Sequence, residues 1–61
     1  MNKLNEIIKA NKIKVAQLCR EIGLSRQSLY DIMDDKQIPT VYNALKIARY
    51  LKLKIEDIWT L

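Results

Sequence analysis

The sequence predicts an all-α protein, a compact bundle of five short helices. Apolar residues recur at the i, i+3, i+4 spacing of a helix along most of the chain, and no stretch alternates in the manner of a strand. The single glycine and the single proline each stand between two such helical stretches. The 61 residues are expected to form one domain over 1–61. Its stability should be modest, because a chain this short buries only about 60% of the surface of its unfolded form.

The first two helices are predicted on either side of a short connection at 12–14. Their apolar stripes are Leu4, Ile7 and Ile8 in the first helix and Val15, Leu18, Cys19 and Ile22 in the second. Asn2 is a candidate N-cap, which predicts a first helix over about 2–11. Gly23 ends the second helix, since glycine adopts the left-handed conformation without a Cβ clash and lets the chain turn sharply.

A polar first turn distinguishes the third helix. Ser25 is placed to cap it, because the hydroxyl can accept a backbone N–H at the new N-terminus. The apolar stripe of Leu29, Ile32 and Met33 begins a turn later. Residues 25–28 are therefore expected to face outward, where they are available for contact.

A polar loop over 34–39, closed by Pro39, precedes the fourth helix. Thr40 is expected to cap that helix. The predicted inward stripe is Val41, Ala44, Leu45, Ala48 and Leu51. The final, half-buried turn is predicted from Ile55, Ile58 and Trp59. Glu56 and Asp57 lie near the start of this turn, where the helix dipole favours negative charge.

The positive charge is concentrated in the first half of the chain. Residues 1–30 carry six cations against two anions, a net +4, whereas residues 31–61 carry five of each. A basic surface favours a polyanionic partner, either nucleic acid or anionic lipid. Lysines that serve only solubility are the alternative.

Several classes of protein are disfavoured by what the chain lacks. No apolar run approaches the roughly 20 residues that span a bilayer, and Glu6 and Lys9 interrupt the apolar N-terminal residues, unlike a signal peptide. One cysteine, Cys19, cannot form an internal disulfide, which fits a reducing compartment. We therefore expect a cytoplasmic protein without a membrane partner.

Catalytic and metal sites receive little support from the sequence. The chain has no histidine and no glycine-rich phosphate loop, and Cys19 lies on an apolar stripe where a packed thiol is expected. Asp31, Asp34 and Asp35 lack the ligand spacing of a calcium loop. We expect neither an enzyme nor a bound cofactor or metal.

Two helices joined by a glycine turn, the second with a polar first turn, have the layout of a helix-turn-helix. The stretch 15–34 resembles the helix-turn-helix of Cro and phage-repressor DNA-binding proteins. Gly23 matches the turn glycine, Ser25 opens the recognition helix, and Leu29 and Ile32 match its inward anchors. The loop residues Lys36 and Pro39, the fourth helix over 44–48 and the closing helix over 55–59 also resemble that family. The likeness covers nearly the whole chain and implies a lambda-repressor-like bundle.

The chain departs from the family pattern at both ends of the motif. Lys14 and Val15 stand where the family usually starts its second helix with Ser or Thr followed by a phosphate-contacting Gln. Lys14 can replace that contact as a point charge, without the directional hydrogen bonds of an amide. Met33 and Asp35 replace a common Glu and Gly, and the turn is expected to survive because Asp tolerates the left-handed conformation.

The resemblance implies sequence-specific binding of double-stranded DNA by a small transcriptional regulator, expected to be a repressor, with the recognition helix (about 25–34) in the major groove. Arg26 can bond guanine O6 and N7, and Gln27 matches adenine N6 and N7. Tyr30 can contact a phosphate or a thymine methyl, or instead half-cover the core. Asp31 can accept from cytosine N4, or from Gln27 four residues earlier.

Phosphate contacts and dimerisation complete this interpretation. The candidate phosphate contacts are Lys14, Ser28, Lys36, Thr40 and Tyr42, each of which could equally serve capping or solubility. A homodimer is expected because one such unit covers only a few base pairs. Its candidate surface is Ile55, Ile58, Trp59 and Leu61, which could instead close the core. No small-molecule effector is evident.

Two other binding functions compete with DNA. A protein-interaction module, antitoxin-like or anti-repressor-like, would use the acidic face of Asp31, Asp34 and Asp35 or the end marked by Trp59. An RNA-binding function would need a platform of stacked aromatic residues, which the sequence does not offer. Substitution of the candidate base contacts distinguishes the first alternative from operator binding.

Overall fold

A computed structural model describes residues 2–60 of the chain, which fold into five helices. These are α1 (Leu4–Ala10), α2 (Val15–Ile22), α3 (Arg26–Met33), α4 (Val41–Leu51) and α5 (Ile55–Ile58). The principal extents are 27 × 22 × 19 Å. The predicted all-α architecture is confirmed. None of the helices within 2–60 is long and apolar enough to cross a membrane.

Every helix contributes at least one fully buried side chain to a shared core. These side chains are Leu4, Leu18, Leu29, Ile32, Ile47 and Ile58. Burying a side chain of this size stabilises the fold by about 1.5–3 kcal/mol relative to leaving it exposed. The helix-turn-helix is therefore held by contacts with α1, α4 and α5 as well as by its own two helices.

The helix starts follow the capping signals in the sequence. The Ser25 hydroxyl accepts the Ser28 backbone N–H at 3.1 Å, and the Thr40 hydroxyl accepts the Asn43 N–H at the same distance. Both predicted caps are confirmed. At the start of α5 the Lys54 N–H donates to the Asp57 carboxylate at 3.0 Å, which places that negative charge at the helix N-terminus.

Three residues other than glycine have left-handed backbone. Asp35, at φ 60°, follows α3 as expected from its tolerance of this conformation. Lys12 (φ 53°) and Lys52 (φ 59°) end α1 and α4 in the same way and were not predicted. Lysine carries no preference for this region, where an L-residue costs about 1–2 kcal/mol, so tertiary packing determines both turns.

The start of the chain differs from the prediction. Helix α1 begins at Leu4, two residues later than expected, and Asn2 instead forms an isolated antiparallel bridge with Trp59. The Lys3 N–H donates to the carbonyl of Ile58 at 2.8 Å in the same pairing. Asn2 still supports the helix, because its Oδ1 accepts the Leu4 N–H at 2.9 Å.

The Asn2 side chain also joins the first helix to the end of the third. Its Nδ2 donates to the carbonyl of Ile32 at 2.8 Å and to the Asp35 carboxylate at 2.7 Å. One amide therefore binds one of the last carbonyls of α3, which have no partner inside their own helix. This contact fixes the C-terminal end of α3. Because Asn2 and Ile32 are 30 residues apart, no local sequence pattern predicts it.

The inward face of α4 also differs from the prediction. Val41 is 74% exposed and Leu45 is exposed, whereas Ile47 is fully buried. The buried face is Ala44, Ile47 and Ala48, with Leu51 partly buried beside it. Two apolar stripes with helical spacing run along this helix, so periodicity alone could not decide between them.

Replacing Asn2 with alanine is expected to destabilise the fold. The change leaves the Leu4 N–H without its acceptor, a loss that costs about 1–3 kcal/mol when the group is shielded from water. It also removes one of the two donors to the Ile32 carbonyl, which keeps only the Asp35 N–H at 3.2 Å. Urea unfolding followed by circular dichroism measures the loss. Asn5→Ala is the matched control, since Asn5 lies in α1. Equal midpoints for the two variants would show that the amide of Asn2 does not hold α3.

Candidate nucleic-acid interface

The turn between α2 and α3 is made by Gly23 in the left-handed conformation, at φ 75° and ψ 29°. The N–H groups of Gly23 and Leu24 both donate to the carbonyl of Cys19, at 2.9 and 3.1 Å. This pattern closes α2 and redirects the chain within three residues, so that α3 begins at Arg26. The predicted glycine turn is confirmed.

Cys19 is buried in α2, and its thiol belongs to the core cluster. Burial raises the pKa of this thiol above its ordinary value, while the positive charge of Arg26 acts in the opposite direction. The thiol therefore packs as a neutral, apolar group beneath the start of α3.

The first turn of α3 projects polar side chains while the next turn anchors the helix. Arg26 and Gln27 are exposed, whereas Leu29 and Ile32 are fully buried. Within residues 2–60 the Arg26 guanidinium has no hydrogen-bond or ion-pair partner. Its five N–H donors are therefore available to an acceptor outside the protein.

The structure shows one of the two contacts considered for Asp31, while acceptance from cytosine N4 stays a prediction. The Gln27 Nε2 donates to the Asp31 carboxylate at 2.9 Å, one helical turn away. The carboxylate therefore holds the glutamine amide, which is the second of the two roles. Tyr30, the preceding residue, is 45% exposed, and its contact with DNA stays a prediction.

The predicted phosphate contacts lie on several elements. Ser28 is half-buried and its hydroxyl accepts from the Ser25 hydroxyl at 3.1 Å, which leaves its own hydrogen free to donate. Lys14 is exposed at the N-terminus of α2, and its side chain does not cap that helix. Lys36 is exposed in the loop after α3, beyond the C-terminal end of the helix that Arg26 begins.

A lysine that the sequence analysis did not select fixes the position of Tyr42. The Lys46 ammonium lies 4.5 Å from the Tyr42 ring centroid and makes a long hydrogen bond, 3.4 Å, to the carbonyl of Ile22. Tyr42 is therefore held beside the turn that leads into α3. The i, i+4 spacing of Tyr42 and Lys46 on one helix was the available signal. Thr40, at the start of the same helix, uses its hydroxyl oxygen as the cap.

The structure changes the candidate dimer surface. Ile58 is 0% exposed and belongs to the core, so it is removed from that surface. Ile55 and Trp59 are half-buried and remain accessible. Leu61 lies outside the described residues. The sequence could not separate these roles, because a short terminal helix gives only one turn of periodicity.

An apolar groove lies beside Ile55 and Trp59. It has a volume of about 480 Å³, and its apolar lining includes Ile38, Pro39, Val41, Ala44, Ile55 and Trp59. Ile38 is 91% exposed at its edge. The buried Trp59 Nε1 has no hydrogen-bond partner within the described part of the chain. The sequence pattern did not single out Ile38, and it predicted Val41 to face the interior.

Comparison with known proteins identifies the family. The family model of the Cro/C1-type HTH DNA-binding domain matches residues 3–61. The chain belongs to this family. It is also 34% identical over 58 residues to an uncharacterized HTH-type transcriptional regulator of Methanocaldococcus jannaschii, an alignment that covers 95% of this chain and 88% of the relative.

Membership of the Cro/C1-type family confirms the resemblance inferred from the glycine turn and the closing helix. It also supports DNA as the partner of this domain. Over residues 2–60, no group of three or more His, Cys, Asp and Glu side chains is placed to hold a metal ion. The roles of individual side chains in DNA contact stay predictions.

Replacing Gly23 with alanine is expected to destabilise the fold by about 1–2 kcal/mol, the cost of left-handed backbone in an L-residue. A Cβ at this position meets nothing within 4 Å, so the cost is conformational rather than steric. Gly23→Asn should lose less, because asparagine enters this region more readily. Thermal unfolding of the three proteins measures the order. Equal stability of the alanine variant would contradict the requirement for left-handed backbone.

Proposed function

We propose that the protein is a small transcriptional regulator, a repressor, that binds operator DNA with the first turn of α3 in the major groove. The single observation that carries this proposal is the exposed pair Arg26 and Gln27 on a helix whose next turn is anchored in the core. The major groove, about 12 Å wide, admits an α-helix and its side chains. The proposal places the protein in the cytoplasm with its DNA and assigns it no small-molecule effector.

The charges of α3 favour entry by its N-terminal end. Arg26 brings positive charge to the first turn, whereas Asp31 and Asp34 make the second half acidic. Phosphates repel carboxylates, so the groove receives the N-terminal turn while the aspartates stay away from the backbone. In this orientation the arginine can bond guanine O6 and N7.

Phosphate contacts would fix the orientation of α3 without reading sequence. Lys14 at the start of α2 and Tyr42 beside the turn flank the helix, while Ser28, Lys36 and Thr40 supply further donors. If two protomers neutralise about six phosphates, log affinity should fall against log salt with a slope of about −5.

Alanine substitution at Arg26 or Gln27 is expected to relax base preference at defined positions and to cost about 1–3 kcal/mol of binding each, with the fold intact. Selection from a random duplex pool first supplies the operator, and fluorescence anisotropy then measures each variant. Arg49→Ala is the control, since Arg49 is an exposed arginine in the last turn of α4. Its loss should weaken binding equally for all sequences.

The opposite outcome would favour a protein-interaction module. In that case Arg26→Ala and Gln27→Ala leave binding nearly unchanged, whereas reversal of the charges of Asp31 and Asp34 abolishes a complex with another protein. Equal binding of every duplex sequence at low salt would also contradict operator recognition, because it would leave only the phosphate contribution.

We further propose that the regulator acts as a homodimer. Two-fold operators place half-sites about 34 Å apart, and one protomer extends no more than 27 Å. Ile38 projects beside the groove at Val41, Ile55 and Trp59, so one surface carries both a protruding side chain and a recess. A two-fold interface uses the same surface on both copies, so Ile38 of each copy can enter the groove of the other.

Ile38→Asp is expected to convert the dimer to a monomer, because it would bury an unpaired carboxylate in an apolar interface. Sedimentation equilibrium at micromolar concentration measures the mass. Leu53→Asp is the matched control, since Leu53 is an exposed apolar residue that does not line the groove. A wild-type protein that sediments only as a monomer would contradict the proposed dimer.

A further inference from the structure

We propose that Asp31 is a positioning residue that restricts Gln27 to reading adenine. This inference rests on the proposed role of Gln27 in the major groove and adds which base it selects and why. It is carried by the hydrogen bond of 2.9 Å from the Gln27 Nε2 to the Asp31 Oδ1. Asp31 itself makes no contact with the base in this proposal.

The hydrogen bond uses only part of the glutamine amide. The Nε2 group carries two hydrogens and the Oε1 atom carries two lone pairs. One hydrogen is donated to Asp31, so the second hydrogen and the carbonyl oxygen of Gln27 remain available. The fixed amide therefore presents one donor and one acceptor to whatever lies in front of the exposed first turn of α3.

This pair of groups matches one base in the major groove. Adenine presents the N6 amino donor beside the N7 acceptor, whereas guanine presents two acceptors, O6 and N7. The fixed amide of Gln27 can satisfy both groups of adenine, but against guanine its Oε1 faces another acceptor. A free amide could rotate to place its donor on guanine or on thymine O4. The contact with Asp31 disfavours that rotation, because turning the amide breaks the hydrogen bond.

The backbone of Asp31 is held by the loop after α3. The Asp31 carbonyl accepts the backbone N–H of Lys36 at 2.8 Å and that of Gln37 at 3.2 Å, and the residue is half-buried. The loop after α3 therefore fixes the backbone of Asp31, and the carboxylate fixes Gln27. The position of the reading group is determined by both the helix and the loop.

The charge of Asp31 and its contact with Gln27 affect DNA binding in different ways. The negative charge repels phosphates and weakens binding to every sequence, whereas the contact sharpens the choice of base. The two effects are separable, because Asp31→Asn removes the charge but keeps an oxygen that accepts from the Gln27 amide. Asp31→Ala removes both.

The test uses the full-length chain and four duplexes that differ only at the operator position where Gln27→Ala changes preference. The wild-type protein should prefer adenine there by roughly 5- to 140-fold, since a bidentate pair discriminates by about 1–3 kcal/mol and 1.4 kcal/mol is a factor of ten. Asp31→Asn should bind all four duplexes more tightly and keep the preference. Asp31→Ala should also bind more tightly but approach equal affinity for the four bases.

A measurement on the free protein tests the same contact without DNA. The two side-chain amide protons of Gln27 should have widely separated NMR shifts in the wild type and in Asp31→Asn, and should move to ordinary values in Asp31→Ala. Gln17, an exposed glutamine of α2, is the control. Its amide signals, identified from their loss in Gln17→Ala, should not move in the Asp31 variants.

The possible failures are distinguishable. An unchanged adenine preference in Asp31→Ala would overturn the positioning role while leaving base readout by Gln27 intact. Loss of the preference in both Asp31 variants would assign the effect to charge and also overturn it. A Gln27→Ala variant with wild-type preference at every position would overturn the proposed readout by Gln27 and, with it, this inference.

Discussion

The left-handed backbone at Gly23 is the constraint on which the interface depends. It allows one carbonyl, that of Cys19, to accept the N–H groups of both Gly23 and Leu24, so α2 stops and α3 starts in a new direction. Lys46 adds a positive charge at the neighbouring Ile22 carbonyl, where the helix dipole is negative. The exposed first turn of α3 is therefore a consequence of how α2 ends.

The recognition helix is secured at both ends by different means. At its N-terminus Ser25 supplies a local cap, and at its C-terminus the amide of Asn2 binds the Ile32 carbonyl from the far end of the chain. An eight-residue helix is too short to be stable alone in water. Its rigidity comes from these end contacts and from the buried side chains of Leu29 and Ile32, which leaves the polar face free for binding.

Local signals in the sequence predicted the parts of the fold that depend on neighbouring residues. Gly23, Ser25 and Thr40 act within four residues of their positions, and each ends or starts a helix as expected. The contact of Gln27 with Asp31 spans one helical turn and was also within reach. The Asn2 contacts span about 30 residues, so no pattern reveals them. The exposure of Ile38 depends on how the loop after α3 packs, which composition does not specify.

Trp59 makes the groove beside α5 observable by fluorescence. It is the chain's sole tryptophan, and its buried Nε1 has no acceptor among residues 2–60. Indole emission responds to hydrogen bonding and to the polarity around the ring, so an acceptor or an apolar side chain arriving from outside would change the fluorescence of the whole protein. The domain therefore contains an intrinsic optical reporter of occupancy on the surface beside α5.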